Sequence, residues 1–345
     1  MLAQKAAARL GGDVFMSRDA GGVQNWTGKY FTQADGLIYV GAAGIAVRAI
    51  APFIKSKTQD PAVIVMDEGG SFAVPILSGH LGGANDLARE LAAATGAEPV
   101  ITTATDVSGR FAVDEWAKRQ HCLVKNPGKI VQVSSGILRG EEIRIQSDWP
   151  IAGEAPELVR SIGPVSGKAV NHFPDVIVSM CRYDICTEDN KSDSEGEQGD
   201  CGKEQPSPLQ LVPQIAVLGV GCRKGTTAEH LETCFRRFLE ENRIEEGAVC
   251  AAASIDLKKD EPGLLQFCEN RKLPLVCCTA EQLLAAEGEF SSSAFVREIT
   301  GVDNVCERSA VLASEGGGLL VKKTKYDGVT MALAVKPYYP DWRWH

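Results

Sequence analysis

Short apolar runs, each giving way to a glycine-bearing loop and then a helical pattern, constrain the fold of this 345-residue chain more than any other feature. Leu37–Val40 is followed by Gly41-Ala-Ala-Gly44 and the pattern IAVRAIAPFI. Ala62–Met66 (AVIVM) is unbroken and largely β-branched, then stops abruptly in DEGGS. Phe72–Leu77 leads into the stretch LSGHLGGAND (77–86), after which ANDLARELAAATG predicts a helix stopped by Gly96. Val100–Thr103 predicts a further strand. Strands alternating with helices imply an α/β chain of mostly parallel sheets with helices on both faces.

The pattern then changes. FAVDEWAKRQ is helical, Pro127 opens a second helix (PGKIVQVSSGILRG), and EEIRIQSD and Asp175–Met180 read as strands. Residues 187–208 are polar and acidic with no apolar period, the composition of a flexible linker. Beyond them Ile215–Val220 is a strand, GCRKGT a loop and TAEHLETCFRRFLEEN a helix, with Thr226 and Glu229 at capping-box spacing. VCAAASIDL and LPLVCC are strands flanking a helix at Gly263–Asn270, and Thr279 with Gln282 repeats the capping signature. Tyr326-Asp327-Gly328 is the turn of a closing hairpin. The chain therefore divides into an N-terminal α/β domain (1–107), a middle α/β domain (108–186), an acidic linker (187–210) and a C-terminal α/β domain (211–345). A doubly wound domain normally begins with a strand, whereas Met1 opens into a helix, so either that strand is lacking or the natural start lies upstream.

Composition narrows the function. Apolar residues are 44% and charged residues 23% of the chain, the balance of a soluble globular protein. A net charge of −9 argues against a general nucleic-acid binder, because backbone phosphates would be repelled. No apolar run reaches the roughly 18 residues of a membrane span, and Lys5 and Arg9 break the N-terminal run as a signal peptide. The expected location is the cytoplasm. Eleven cysteines contain no C-x-x-C spacing, so free thiols are expected rather than a metal site or disulfides.

In parallel α/β sheets ligands bind beyond the carboxyl ends of the strands. Four glycine-rich loops are expected there: Gly41–Gly44, Asp67–Ser71, Ser78–Asn85 and Gly221–Thr226, the first three on one rim. His80 can move a proton near neutral pH, with Asp67 or Glu68 to orient it or act as the base. Ser78, Asn85 and the amides of Gly79, Gly82 and Gly83 suit an oxyanion. The same residues also suit a loop in which His80 bonds its own backbone and Asp86 caps the helix. GVGCRKGT (219–226) matches neither a Walker loop nor a dinucleotide fingerprint in full. What survives is a helix N-terminus beside Arg223 and Lys224, suited to carboxylate or phosphate. Glu307, Arg308 and Ser309 form either a polar ligand site or an internal ion-pair cluster.

Taken together, GIAVRAIAP (44–52), DPAVIVMDEGGSFAVPILSGHLGGANDLA (60–88), ITTATD (101–106), LGVGCRKGT (218–226) and CERSAVLAS (306–314) resemble the CbiG family of cobalt-precorrin-5A hydrolases, along nearly the whole chain. The resemblance implies a three-part α/β fold and a small-molecule tetrapyrrole substrate whose cobalt arrives with it, so no cofactor and no protein metal ligands are expected. It implies opening of a ring-A acetate lactone by water, release of acetaldehyde, and possible contact with other cobalamin-pathway enzymes. In that setting His80, assisted by Asp67 or Glu68, would be the proton acceptor. Arg48 beside Gly44, Arg223, Lys224 with Gly221 and Thr226, and Arg308 with Glu307 and Ser309 would hold substrate carboxylates. Two rivals stand beside this: a non-catalytic tetrapyrrole carrier, and a nicotinamide-dependent oxidoreductase built on GVGCRKG.

Overall fold

The computed structural model describes residues 2–56, 59–79, 82–102, 109–163, 174–183, 207–292, 297–298 and 300–344. Contacts divide the chain into two compact units, one comprising Met1–Lys118, Ile130–Glu141 and Trp344–His345, the other Arg119–Lys129 and Glu142–Arg343.

The first unit is built on a four-stranded sheet in the order β1-β2-β3-β4. β1 (Gly36–Val40) pairs in parallel with β2 (Ala62–Met66), and every residue of β2 is buried, as a strand covered on both faces requires. Alternation along β2 sorts its side chains between two cores. Val63 and Val65 pack with Ala46, Ala49 and Ile50 of helix α3 (Ala43–Ile50), together with Leu37, Tyr39 and Phe31. Ile64 and Met66 pack with Ala88 and Leu91 of α4 (Ala84–Thr95) and with Ala6 of α1 (Leu2–Leu10). α2 (Val23–Tyr30) supplies Val23 and Trp26 to the first of these cores. Gly96 ends α4 in the left-handed region (φ 86°), its N–H bonded to Ala92. Two residues later the chain pairs as β4 (Glu98–Pro99), two residues earlier than the expected strand, and Val100 N–H still bonds Ala73 O.

One expectation is overturned. β3 (Phe72–Leu77) runs antiparallel to β2, with Met66 opposite Ala73 and Val63 opposite Leu77. The five residues Asp67–Ser71 are too few for the crossover of a dozen or more that a parallel pair needs. The loops Gly41–Gly44 and Asp67–Ser71 therefore share one end of the sheet, and Ser78–Asn85 leaves from the other.

The second unit holds two sheets. The middle one has the order β5-β9-β8-β6-β7, formed by β5 (Cys122–Val124), β6 (Ile143–Ser147), β7 (Val159–Ser161), β8 (Val176–Val178) and β9 (Leu209–Pro213). β9 extends the expected linker edge into a strand, parallel to β8 and antiparallel to β5. The linker itself lies outside the described residues except for 207–210. Helices α5 (Val113–Arg119) and α6 (Ile130–Arg139) belong wholly or mostly to the first unit.

The C-terminal sheet has the order β12-β11-β10-β14-β13. β10 (Ala216–Cys222), β11 (Val249–Ile255) and β12 (Leu275–Cys278) are parallel, and the hairpin of β13 (Gly318–Tyr326) and β14 (Val329–Val335) turns through Asp327-Gly328 as expected. α7 (Ala228–Glu241) and α8 (Pro262–Asn270) cover one face through Leu231, Phe235, Phe238, Leu264 and Phe267, and Met180 and Val212 join this core. α10 (Cys306–Ala313) covers the other, where Ala313 meets Val217, Ala251 and Ala253. α9 (Ala280–Ala285) begins in the expected Thr279–Gln282 capping box, whereas Thr227, not Thr226, caps α7 by accepting from His230 N–H at 3.2 Å. Among the described residues no helix is long and apolar enough to cross a membrane.

Candidate functional site

β3 ends at Leu77, and Ser78 at once takes a positive φ of 57°. Its hydroxyl donates to Asp60 O at 2.9 Å, tying the loop to the residues that enter β2. That engagement removes Ser78 Oγ from the expected oxyanion role. The loop then closes on itself, with Ala84 N–H bonded to Ser78 O (3.1 Å) and Asn85 N–H to Gly79 O (2.9 Å). A Cβ on Gly82 would stand 2.3 Å from Ser78 Cβ, and one on Gly79 would stand 2.9 Å from Asn85 Oδ1. These glycines are required by close approach of the two limbs of the loop. His80 and Leu81 lie outside the described residues. Asn85 is 1% exposed and packs under Gly79.

Gly83 (φ 80°) is the N-cap of α4 and, as glycine, offers it no side-chain cap. Asp86 does not cap it. It pairs with Arg89 at 3.0 Å and with Lys118 of α5 at 3.2 Å. The Lys118 ammonium stands 2.9 Å from where a Cβ of Gly83 would be. Sequence reasoning did not single out Lys118, which lies 32 residues beyond Asp86.

Asp67 and Glu68 are not brought to this loop. β3 spans six residues, about 20 Å at strand rise, and they sit at its opposite end. Asp67 instead builds the hairpin: its carboxylate accepts from Phe72 N–H (2.7 Å) and Gly69 N–H (3.1 Å). These backbone donors, Phe72 foremost, hold its carboxyl below the ordinary value. Arg48 and Gly44 lie at that same far end, the guanidinium donating to Gly44 O at 3.3 Å.

In the second unit Gly219 and Gly221 lie within β10, not in a loop. A Cβ on Gly219 would fall 1.8 Å from Cys306 O, so α10 rests directly on the strand backbone. A Cβ on Gly221 would fall 2.5 Å from Thr330 Oγ1 on β14. These two glycines answer to packing, which removes the footing of a dinucleotide loop. The turn proper is braced from behind. Gly225 N–H donates to Glu261 (2.7 Å), which also takes Lys258 at 2.9 Å, and Thr226 Oγ1 donates to Arg223 O (2.8 Å). Lys258, then Gly225 N–H, holds the Glu261 carboxyl below its ordinary value. Arg223 and Lys224 remain exposed, and the Arg223 guanidinium stands 3.8 Å from the Asp327 carboxylate.

The cluster at Glu307 is internal. Glu307 is fully buried, and its carboxylate accepts Ser291 N–H (2.7 Å), Ser291 Oγ–H (2.9 Å), Asn304 Nδ2–H (2.7 Å) and Lys323 N–H (2.7 Å). Arg308 bonds Asp303 and the carbonyls of Leu283 and Ala286, and stacks over Phe290 at 4.5 Å. Ser309 is buried, donating to Cys306 O at 3.3 Å. Glu307 and Ser309 are thus buried with their side chains bonded, and Arg308 is held by Asp303 and two carbonyls. The cysteines of the described residues are free thiols, and burial pushes Cys122 up to about 12 and Cys268 and Cys306 up to about 11. Among the described residues no three histidine, cysteine or carboxylate side chains cluster as metal ligands.

The cobalamin synthesis G N-terminal family matches residues 25–106, and the cobalamin synthesis G C-terminus family matches residues 216–334. A Salmonella typhimurium LT2 protein named cobalt-precorrin-5A hydrolase is 36% identical over 91% of this chain and 86% of its own. The chain belongs to the CbiG family. A Priestia megaterium protein of the same name is 31% identical over 92% of this chain and 83% of its own. The crystal structure of CobE, a protein of the cobalamin pathway, is 33% identical, with 39% of this chain and 96% of that one covered and a TM-score of 0.35. In this CbiG chain the Ser78–Asn85 loop falls within the N-terminal match and the Arg223–Thr226 turn within the C-terminal one.

Proposed function

We propose that this CbiG protein hydrolyses cobalt-precorrin-5A, opening the ring-A acetate lactone with water and releasing acetaldehyde to leave cobalt-precorrin-5B. The observation that carries this is similarity along nearly the whole chain to proteins bearing that enzyme name. The loop at Ser78–Asn85 is the proposed site of chemistry. Two closely apposed limbs and three glycines bring backbone close together there, at the start of α4.

His80 is the proposed acceptor of the proton from the attacking water. Asp67 and Glu68 no longer share that role, since β3 separates them from the loop. Lactone cleavage frees a carboxylate on ring A and an alkoxide on the two-carbon bridge. The alkoxide collapses to a carbonyl, its carbon–carbon bond to the macrocycle breaks, and acetaldehyde leaves with the electron pair remaining in the conjugated ring. The cobalt belongs to the substrate, and the steps assigned to the protein are binding, orientation and proton transfer. Arg223 and Lys224 are the second unit's proposed carboxylate contacts, while Arg308 and Glu307 are withdrawn because their groups are engaged internally.

The test is turnover of purified cobalt-precorrin-5A by wild type and His80→Gln. Acetaldehyde from the wild type with a large loss in the variant supports the assignment, and near-normal turnover in the variant removes His80 from the mechanism. Tight binding without aldehyde would favour a carrier.

A further inference from the structure

We infer that Lys118 is a substrate-carboxylate contact of the glycine loop, held ready by an exchangeable pairing with Asp86. This rests on the reading of Ser78–Asn85 as the site. The ammonium sits beside Gly83, 2.9 Å from where a Cβ there would begin, and so next to the described end of the loop. The Lys118 and Asp86 side chains are 44% and 61% exposed, and a pair so exposed contributes little to folding. A ligand carboxylate can therefore replace Asp86 at small cost. Asp86 is not left bare when that happens, because Arg89 remains beside it at 3.0 Å. Lys118 lies in the helical stretch FAVDEWAKRQ, which the sequence assigned to another domain, yet its contacts place it in the unit that carries the loop.

A carboxylate contact is made equally in ground and transition states, so its removal acts on KM rather than kcat. Lys118→Gln is expected to raise KM for cobalt-precorrin-5A about tenfold, the size of one charge-assisted hydrogen bond at a partly exposed position, with kcat little changed. Lys118→Arg is expected to restore most of the affinity, and Asp86→Asn, which releases the ammonium, not to raise KM. An unchanged KM in Lys118→Gln, a loss confined to kcat, or failure of arginine to rescue a variant that melts like wild type would each overturn the inference. Wild-type acetaldehyde release is measured first. If the wild type binds the macrocycle without turning it over, the hydrolase proposal fails and Lys118 is judged on the dissociation constant, read by titrating the macrocycle's absorbance. If it neither binds nor reacts, both fail.

Discussion

Replacing Glu307 by glutamine separates a structural carboxylate from a ligand-binding one. Four donors converge on it, two on each oxygen: Ser291 N–H and Asn304 Nδ2–H on Oε2, Ser291 Oγ–H and Lys323 N–H on Oε1. Glutamine keeps one acceptor and turns an NH2 toward the other pair. The less costly orientation aims that NH2 at Ser291 Oγ, which can rotate to accept, and leaves Lys323 N–H without a partner. One orphaned backbone N–H, with weaker neutral bonds in place of charge-assisted ones, costs about 3 kcal/mol. For a unit of this size that lowers Tm by roughly 10 °C. Thermal unfolding followed by circular dichroism reads the shift, and turnover well below the transition reads function. A lowered Tm with KM unchanged is expected. An unmoved Tm with a raised KM would show that Glu307 meets substrate and that its four bonds were misjudged.

Other outcomes follow from the same geometry. Gly82→Ala forces its new methyl against Ser78 Cβ at 2.3 Å, and acetaldehyde release should fall at least about tenfold for a stability cost of about 1–3 kcal/mol; a normal rate would mean the loop is not the site. Asp67→Ala should leave turnover intact, because Asp67 lies at the other end of β3. Its folded carboxyl is held below 3.8, so the stability it adds is present above that value and fades as pH falls through the lower folded value. The Tm gap between wild type and Asp67→Ala should therefore close in acid, and a gap that persists there would contradict the sign. Cys122, Cys268 and Cys306, with thiols pushed up to between about 11 and about 12, should resist alkylation at neutral pH until the protein unfolds. Rapid native modification of all three, read by mass spectrometry, would contradict their burial.

Local signals were legible and pairings between distant segments were not. The five buried residues of β2, the Gly96 stop of α4, the Thr279–Gln282 box and the Asp327-Gly328 turn each depend on a few adjacent residues. The antiparallel entry of β3 was also legible in principle, because a five-residue connection excludes a parallel crossover, but the α/β alternation overrode it. β9 was hidden because Leu209–Pro213 abuts an acidic stretch and finds its partners in β5 and β8, one of them far back in the chain. The neighbouring threonines 226 and 227 offer the same capping chemistry, and only the backbone path selects the second. Glu307-Arg308-Ser309 reads alike as a ligand site or a buried network, since its partners Ser291 and Lys323 each stand 16 residues away. Lys118 gave no motif at all.

The central claim is lactone opening with loss of the two-carbon fragment, and the most direct measurement is the fate of purified cobalt-precorrin-5A incubated with the purified protein. Mass spectrometry of the macrocycle and enzymatic detection of aldehyde are followed together. The account predicts that acetaldehyde and the lactone-opened, two-carbon-shorter macrocycle accumulate in equal amounts. A macrocycle recovered unchanged from a tight complex, with no aldehyde, would contradict it.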